Sequence, residues 1–382
     1  MKTVYYLFKR QLPNLLTIFF LYGLLIYGAQ CPLDALSDYS FIFLIGTYSL
    51  GTDSEGIYSL TLNTESGLFS PPELVAESDN PSFLLYQANS KTLYAVNELE
   101  AGAISVFKNH GKQFTLAQQL DVQGKHPCHL DLVNEDKHLG VANYSSGNIS
   151  LFRRDKDRLD ETSLMTVSHY GAGVNAERQE APHAHWIGTV GNEYIYSIDL
   201  GADKIFKSKI DKKGQLSNLE TAIQLSPGDG PRHIERHPVK NIIYLVNELS
   251  NSLAVLAIQD DGNFVEQQRI DLLPADNHAH SQAAAVKLDK TANYLYVTNR
   301  GHNSITTYTV LENGQLQMLS NVPSQGLWPR ALFVTDDNQF LLVANEHSSA
   351  INLFRIDSKT GEPVATDEVA AISSPTSIIS FA

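Results

Sequence analysis

The stretch GPRHIERHPVKNIIYLVNELSNSLAVLAIQDDGNF, residues 230–264, contains the pattern that decides the fold. It opens at Pro231, continues into an apolar run at residues 242–246, and closes that run with Asn and the acidic Glu248. An uninterrupted apolar run of this length is expected of a strand that is covered on both faces. The turn residues that follow, and the Asp-Asp-Gly turn further on, predict two more strands. The stretch therefore predicts four short strands joined by tight turns.

The same pattern recurs along the chain at a spacing of about 45–55 residues, which is typical of a β-propeller. The copies begin at Pro81, Pro127, Pro182, Pro231, Pro329 and Pro375, and a copy without proline begins at Ala283. The strand segments in their second halves end at Glu98, Tyr144, Leu200, Glu248, Arg300 and Glu346. Residues 41–46 have no opening proline, and residues 375–381 have no blade after them. Pairing these two ends closes the ring. We therefore predict an all-β fold, a seven-bladed β-propeller of four-stranded antiparallel blades.

Composition restricts the partners of the protein. The chain has 382 residues and a formal net charge of −14, which argues against nucleic acid or an acidic membrane surface as a general partner. It contains two cysteines, Cys31 and Cys128, which are too few for a disulfide framework or a zinc site of the Cys type. There is no Gly-rich phosphate loop and no Gly-x-Ser-x-Gly elbow. We expect no metal and no cofactor.

The N-terminus has the pattern of a targeting segment. Lys2, Lys9 and Arg10 precede an apolar run at residues 15–29, which is short for a spanning helix and suits the core of a signal peptide. We predict that residues 1–38 form a signal peptide or an N-terminal membrane anchor and that residues 39–382 form the propeller. The protein would then be exported, either periplasmic or held to the membrane by this segment. A cytoplasmic location is the alternative.

Two positions of the repeat differ in chemistry from copy to copy. The residue after the opening proline is, in turn, Ser82, Cys128, His183, Arg232, Ala284, Arg330 and Thr376. The residue that closes the second strand is a glutamate in three copies and a tyrosine, a leucine or an arginine in the other three. A position that only builds blades has no need of arginine and histidine where other copies carry Ser, Ala or Thr. We therefore expect both sets to surround one mouth of the central channel and to form the functional site.

Each candidate side chain has a functional and a structural interpretation. His183 and His185 lie on one face of a strand because side chains alternate, and they form either part of the site or a structural hydrogen-bonded pair. Arg232 has the geometry to clamp a carboxylate or phosphate, or it forms a salt bridge between blades. Glu248 and Glu346 are either general bases or acids that only stabilise turns.

Several segments carry a resemblance to a known family. They read RQEAPHAH, DLGADK, GPRH, NELS and NRGHNSI, at residues 178–185, 199–204, 230–233, 247–250 and 299–305. In these segments the chain resembles the lactonase family of seven-bladed propellers, which includes bacterial 6-phosphogluconolactonases of the propeller type and fungal carboxymuconate cycloisomerases. The resemblance extends from about residue 41 to residue 381. It implies a small-molecule lactone as substrate.

The resemblance also implies roles for individual residues. The catalytic set would be His183 or His185 with Arg232, Glu248 and Arg300. A histidine or Glu248 would activate water, and Arg232 would stabilise the oxyanion. Arg330 matches a further family arginine. We expect His233, His302, Arg330 and Glu346 to bind the substrate, and Arg300, Arg330 and His233 to hold its phosphate or carboxylate tail. The chain departs from the family in the run of three alanines at residues 283–285, where members often carry an acid.

Three functions remain open from the sequence. The first is hydrolysis of a sugar lactone, most directly 6-phosphogluconolactone. The second is a cycloisomerase or lactonase that acts on an unphosphorylated carboxylic acid lactone, which export would favour because sugar phosphates are scarce outside the cytoplasm. The third is a non-catalytic exported propeller that binds carbohydrate or protein.

Overall fold

The computed structural model describes residues 39–191, 193–274 and 280–381. The predictions for residues 1–38, including the targeting segment and Cys31, lie outside this part of the chain. One compact unit spans Phe41–Ala382. Strands and turns make up nearly all of the described residues, and a single 3₁₀ turn at Ala88–Ser90 is the one helical element among them. No helix within the described ranges is long and apolar enough to cross a membrane.

The strands form seven antiparallel sheets, and in six of them the strands are in sequential order. The first strands of neighbouring sheets contact one another all the way round, so they surround a central channel. These innermost strands are β5 (Leu84–Gln87), β9 (Pro127–Val133), β13 (Ala184–Gly188), β17 (Pro231–Arg236), β21 (Gln282–Leu288), β25 (Pro329–Val334) and β29 (Pro375–Ser380). The second strands are β1 (Ser40–Thr47), β6 (Thr92–Asn97), β10 (His138–Asn143), β14 (Ile195–Asp199), β18 (Ile242–Asn247), β22 (Tyr294–Arg300) and β26 (Phe340–Asn345).

The outer half of each sheet is less buried. The third strands are β2 (Gly56–Asn63), β7 (Ala103–Asn109), β11 (Asn148–Asp155), β15 (Lys204–Ser208), β19 (Ser252–Ile258), β23 (Ser304–Val310) and β27 (Ala350–Ile356). The outermost strands are β3 (Leu68–Phe69) with β4 (Glu73–Glu77), β8 (Phe114–Asp121), β12 (Arg158–Ser168), β16 (Glu220–Gln224), β20 (Phe264–Asp271), β24 (Leu316–Pro323) and β28 (Pro363–Ala371). The predicted seven-bladed propeller of four-stranded blades is confirmed. One blade departs from the pattern, because β3 and β4 both pair with β2.

The ring closes through the two ends of the propeller. Strand β29 is the innermost strand of the blade whose second strand is β1, with Phe43 opposite Ser380 and Gly46 opposite Ser377. The predicted pairing of the terminal strands is confirmed. Closure pairs β1 on both edges, with β29 on one side and β2 on the other.

The hydrophobic core lies between blades. Val246 and Val255 of one blade pack with Leu295 and Val297 of the next, and all four are fully buried. Since each sheet is covered on both faces by its neighbours, its second strand is an unbroken apolar run, as the sequence predicts.

Buried tyrosines add a polar connection between blades. The Tyr244 hydroxyl donates to the Gly314 carbonyl in the next blade at 3.0 Å, and Tyr296 repeats the bond to Gly361 at 2.8 Å. Both glycines have positive φ, of 83° and 76°, so the turn that presents each carbonyl suits glycine. These bonds satisfy hydroxyl groups that burial would otherwise leave without a partner.

Candidate active site

In six of the seven blades a β-bulge near the start of the innermost strand interrupts its pairing with the second strand. In the blade of β17, Pro231 pairs with Asn247 and His233 pairs with Val246, so Arg232 has no partner. The same register shift leaves Cys128 and Arg330 unpaired in their blades. A bulge bends the strand and redirects the unpaired residue. In these three blades the residue after the opening proline therefore lines the channel.

The blade of β13 requires a correction. There Ala184 pairs with Asp199 and Trp186 pairs with Ile198, so the bulged residue is His185. The prediction that His183 is the equivalent of Arg232 is wrong by two residues.

His183 corresponds instead to Gly230, the residue before the proline. Its carbonyl accepts the Leu200 N–H at 2.9 Å, just as the Gly230 carbonyl accepts that of Glu248 at 2.7 Å. The error has a simple cause: in this blade the proline precedes the strand by two residues, and Ala184 occupies the usual proline position.

The channel opens at one end into a cavity of about 320 Å³, which we call the mouth chamber. Its walls come from the bulged residues, from the residues that close the second strands, and from three loops. They are Tyr48, Glu98, Cys128, Tyr144, Arg178, His185, Glu248, Gln282, Arg300, Trp328 and Arg330. The structure thus brings together four of the predicted residues, namely His185, Glu248, Arg300 and Arg330, with Arg232 in direct contact with Glu248.

Glu248 is the centre of the charge distribution in the chamber. Its Oε1 lies 2.7 Å from Nη2 of Arg178, and its Oε2 lies 3.1 Å from Nε of Arg232 and 2.7 Å from Nη2 of Arg300. The carboxylate is 1% exposed. Burial alone would raise its pKa, but Arg300, Arg232 and Arg178 together hold the pKa well below its ordinary value. Three guanidinium groups share one carboxylate, so two positive charges in this cluster are uncompensated.

Arg232 and Arg300 are held rigidly. Arg232 Nη1 donates to the Ala284 carbonyl at 3.0 Å, and Arg300 Nη2 donates to the Ala283 carbonyl at 3.1 Å. Burial and the nearby Arg300 lower the pKa of Arg232 to about 9, although Glu248 opposes this shift. A negative charge that develops beside Arg232 is therefore strongly favoured.

His185 is the histidine of the chamber. It is buried, its Nδ1 lies 3.8 Å from Sγ of Cys128, and its ring meets that of Tyr144 edge-on at 5.6 Å. Burial and the charge of Arg232 lower its pKa well below the usual value, so the imidazole is neutral and free to accept a proton. Cys128 is not a nucleophile here, because burial raises the pKa of its thiol above the usual range.

A second cluster surrounds Arg330. Its Nη2 donates to the Tyr48 hydroxyl at 2.6 Å, and its guanidinium lies 3.8 Å from Glu98 and 3.5 Å from Glu346. The Tyr48 hydroxyl in turn donates to Glu98 at 2.9 Å. Two carboxylates thus balance the charge of Arg330. The predicted roles of Arg330 and Glu346 in substrate binding stay predictions, but this pairing reduces the attraction that Arg330 offers to an anion.

Five predicted residues are not walls of the mouth chamber: Arg232 contacts Glu248, Glu346 contacts Arg330, and the other three are histidines. His183 stacks on the ring of Tyr144 at 4.6 Å, and its Nδ1 meets the Tyr144 carbonyl at 3.1 Å. His302 makes a 2.7 Å hydrogen bond to Ser304 within its own turn. His233 lies further along the channel, in a second cavity of about 230 Å³, with its ring 5.3 Å from that of His129. The structure does not bring these side chains to the walls of the chamber.

Sequence reasoning assigned no role to four residues of the chamber, which are Tyr48, Arg178, Gln282 and Trp328. Tyr48 follows the second strand of the closing blade and is equivalent to Glu98, but that blade has no opening proline before β1, so its copy of the pattern is split between the two ends of the chain. Arg178 and Trp328 come from loops. Trp328 has a φ of 64°, stacks on His347 at 4.7 Å, and lies 5.4 Å from the Arg300 guanidinium. The sequence signal that could have located Trp328 is its position directly before Pro329, which opens a copy of the repeat.

The described residues contain no group of three or more His, Cys, Asp or Glu side chains arranged to hold a metal ion. His278 and its neighbours at residues 275–279 lie outside that part of the chain.

A closed propeller with a buried Arg-His-Glu chamber at one end of its channel defines a small-molecule site built to stabilise negative charge. Comparison with known proteins identifies the family. The family model described as "Lactonase, 7-bladed beta-propeller" matches residues 42–380. The chain therefore belongs to the family of seven-bladed β-propeller lactonases.

Individual relatives agree with this assignment. The chain is 34% identical over 328 residues to 6-phosphogluconolactonase of Bacillus subtilis, an alignment that covers 84% of this chain and 93% of the relative. It is 31% identical to a 6-phosphogluconolactonase of Formosa agariphila, with 83% and 93% covered. Among solved structures, the periplasmic gluconolactonase of Pseudomonas aeruginosa superposes with a TM-score of 0.85 at 27% identity, covering 90% of this chain and 99% of that one.

Proposed function

We propose that this lactonase hydrolyses a sugar lactone in the mouth chamber, with 6-phosphogluconolactone as substrate and 6-phosphogluconate as product. The observation that carries the proposal is the sharing of Glu248 by Arg178, Arg232 and Arg300 beside the neutral His185. Such a cluster is preorganised to stabilise the negative charge that forms when water attacks an ester carbonyl. Relatives named 6-phosphogluconolactonase support the choice of substrate.

The residues of the chamber support a simple reaction path. His185 takes a proton from water as the water oxygen attacks the lactone carbonyl carbon. The carbonyl oxygen becomes an oxyanion beside Arg232. The ring C–O bond then breaks, and the departing oxygen receives the proton from His185. One water is consumed per lactone, and the product is an open-chain hydroxy acid.

Glu248 has a different role in this scheme. Three arginines surround its carboxylate and hold its pKa well below the ordinary value, so Glu248 stays ionised as their counter-ion. Both of its oxygens are engaged by arginines, since Oε2 fixes the positions of Arg232 and Arg300 and Oε1 contacts Arg178. We assign proton transfer to His185 and orientation of the arginines to Glu248.

The test is hydrolysis by purified protein against the spontaneous background rate. 6-Phosphogluconolactone and glucono-1,5-lactone are supplied fresh, and acid release is followed with a pH indicator. The proposal expects saturable acceleration that is lost in the double variant H185Q/R232Q. Rates equal to buffer alone on every lactone, with a folded protein, would leave the non-catalytic binding propeller as the better account.

A second candidate is hydrolysis of an unphosphorylated lactone. Arg330 lies between Glu98 and Glu346, which leaves fewer free cations for a phosphate than the sequence suggests. The neighbour from Pseudomonas aeruginosa is named a periplasmic gluconolactonase, which also supports this candidate. The ratio of kcat/KM for the phosphorylated and the free lactone separates the two.

We also propose that the protein is exported, on the basis of the basic and apolar pattern in residues 1–29. Sequencing the N-terminus of the mature protein from fractionated cells tests this. A mature chain that begins near residue 30 in the periplasmic or membrane fraction supports export. An intact Met1 in the cytoplasmic fraction contradicts it.

A further inference from the structure

The loop at residues 169–183, between β12 and β13, brings an arginine to the chamber from outside the strand framework. Gln179 anchors this loop, since its Nε2 donates to the Leu200 carbonyl at 2.9 Å and to Asp203 at 2.7 Å. The backbone N–H of Arg178 donates to Oδ1 of Asn175 at 3.2 Å. Gln179 has no exposed surface. The loop is therefore preorganised, and Arg178 is held at the rim of the chamber.

Arg178 is less enclosed than the other arginines of the Glu248 cluster. Its side chain is 30% exposed, whereas those of Arg232 and Arg300 are 4% and 6% exposed. Arg178 and Arg300 line the mouth chamber, whereas Arg232 lines the second cavity further along the channel, so the more exposed Arg178 lies nearest the opening.

Arg178 also keeps free hydrogen-bond donors. Its Nη2 donates to the Tyr144 hydroxyl at 3.0 Å and to Glu248 at 2.7 Å, while its Nε and Nη1 make no hydrogen bond to the described residues. Arg300 uses Nε and Nη2 on the backbone carbonyls of residues 282 and 283. Arg178 can therefore offer the N–H groups of two further nitrogens, Nε and Nη1, to an incoming anion without breaking its present contacts.

The different depths of the three arginines and the free hydrogen-bond donors of Arg178 together define an orientation for the substrate. The lactone carbonyl belongs deep in the chamber, beside Arg232, and the far end of the molecule then lies at the rim. A guanidinium with two free N–H groups suits the oxygens of a phosphate or carboxylate. We propose that Arg178 binds an anionic group carried by the lactone at the end remote from its carbonyl, and thereby sets the preference of the enzyme for charged over neutral lactones. This inference rests on the proposed function.

The test compares three lactones in the variants R178Q and R178K. The substrates are 6-phosphogluconolactone, a lactone that bears a carboxylate, and the neutral glucono-1,5-lactone. Since a charge-assisted hydrogen bond contributes about 1.5–3 kcal/mol, R178Q is expected to lower kcat/KM for the preferred charged lactone roughly ten- to hundredfold, mainly through KM. The loss on the neutral lactone, which reports only the contribution of Arg178 to the Glu248 cluster, should be at least tenfold smaller than the loss on the charged lactone, and R178K should recover part of the latter. The exposed Arg158, on the outermost strand β12, supplies the control R158Q.

The three substrates also distinguish the source of the anion. A loss confined to 6-phosphogluconolactone identifies the phosphate, and a loss confined to the carboxylate-bearing lactone identifies the carboxylate. Equal loss on charged and neutral lactones, or no loss on any, would overturn the inference while leaving lactone hydrolysis in place.

Binding of the product provides an independent measurement. Calorimetric titration with 6-phosphogluconate and with gluconate should show that the wild type binds the phosphorylated acid more tightly and that R178Q removes the difference. If the wild type hydrolyses no lactone but shows this binding pattern, the proposed function fails and the role of Arg178 stands. If hydrolysis occurs and neither the kinetic nor the binding preference responds to R178Q, the role of Arg178 fails alone.

Discussion

Nη2 of Arg300 lies 2.7 Å from Oε2 of Glu248, although the two side chains come from neighbouring blades. Arg178, from a third blade's entrance loop, meets the other oxygen of the same carboxylate. The cluster therefore exists only when these blades are packed side by side. Its geometry depends on the closed ring rather than on any one repeat.

Loss of the Glu248 charge should destabilise the fold. The variant E248Q leaves three buried or partly buried guanidinium groups without a counter-ion, and removing one partner of a buried ion pair typically costs about 3–5 kcal/mol. Urea unfolding followed by fluorescence measures this. The control E135Q breaks the exposed pair with Lys137 and should have no measurable effect. An unchanged unfolding midpoint for E248Q would contradict the account of the cluster.

The two histidines of β13 and its entrance should behave differently. H185Q removes the proposed proton acceptor, and its kcat should fall roughly 100- to 10,000-fold. H183Q removes a ring that stacks on Tyr144 outside the chamber, so its kcat should stay within about fivefold of wild type. Steady-state kinetics on the same lactone decides between them. A larger loss of kcat in H183Q than in H185Q would contradict the role of His185 and favour His183, as the sequence-based alignment with Arg232 does.

The pH profile follows from the environment of His185. Burial and Arg232 depress its pKa, so the neutral form persists as the pH falls below the usual histidine range near 6.5. The plot of kcat/KM against pH should therefore remain flat through pH 6 and lose activity only at more acidic values. An acid limb with an apparent pKa at or above 6.5, in a protein still folded at that pH, would contradict this role.

Buried histidines should also make the fold sensitive to acid. Burial lowers the pKa of His129 to about 3, and it lowers those of His185 and His233. Below about pH 6.5 the unfolded chain binds protons that the folded chain does not. The free energy of unfolding therefore decreases as the pH is lowered, by up to about 1.4 kcal/mol per pH unit for each histidine. H129F keeps the aromatic contact with Phe83 and should reduce this slope between pH 6 and 4. Denaturant unfolding at several pH values measures it, and an unaltered slope would exclude His129 as a contributor.

The hydrogen bond from Tyr244 to Gly314 offers a test of blade packing that is separate from catalysis. Y244F removes one buried hydroxyl and leaves the Gly314 carbonyl without this donor, so the free energy of unfolding should fall by about 1 kcal/mol. Activity should be unchanged at a temperature where the variant is folded. Thermal unfolding and the lactone assay, run on one preparation, check both expectations.

The fold was predictable because the repeat encodes it locally. The apolar run at residues 242–246, flanked by turn residues, is sufficient to predict a covered strand, and repetition makes the ring. The positions of the β-bulges were harder to predict from the sequence. His185, rather than His183, is the counterpart of Arg232 because of how β13 pairs with β14. The distance of a residue from Pro182 in the sequence does not predict that pairing.

The loop contributions to the chamber were hidden for a different reason. Arg178 reaches Glu248 across 70 residues of sequence, and it does so because Gln179 binds Asp203 and the Leu200 carbonyl. Such contacts depend on tertiary structure and leave no periodic signal. Charge pairing around Arg330 was equally invisible, since Glu98 and Glu346 lie in blades far apart in sequence but adjacent to the same channel.

The central claim is that the mouth chamber hydrolyses lactones by stabilising an oxyanion beside Arg232. The most direct measurement is the rate of 6-phosphogluconolactone and glucono-1,5-lactone hydrolysis by wild type and R232Q, with folding verified by circular dichroism. The account predicts catalysis by the wild type on at least one lactone and a loss of roughly 100- to 1,000-fold in kcat for R232Q, the size expected when an oxyanion donor is removed. A folded R232Q protein that hydrolyses the lactone at the wild-type rate would contradict it.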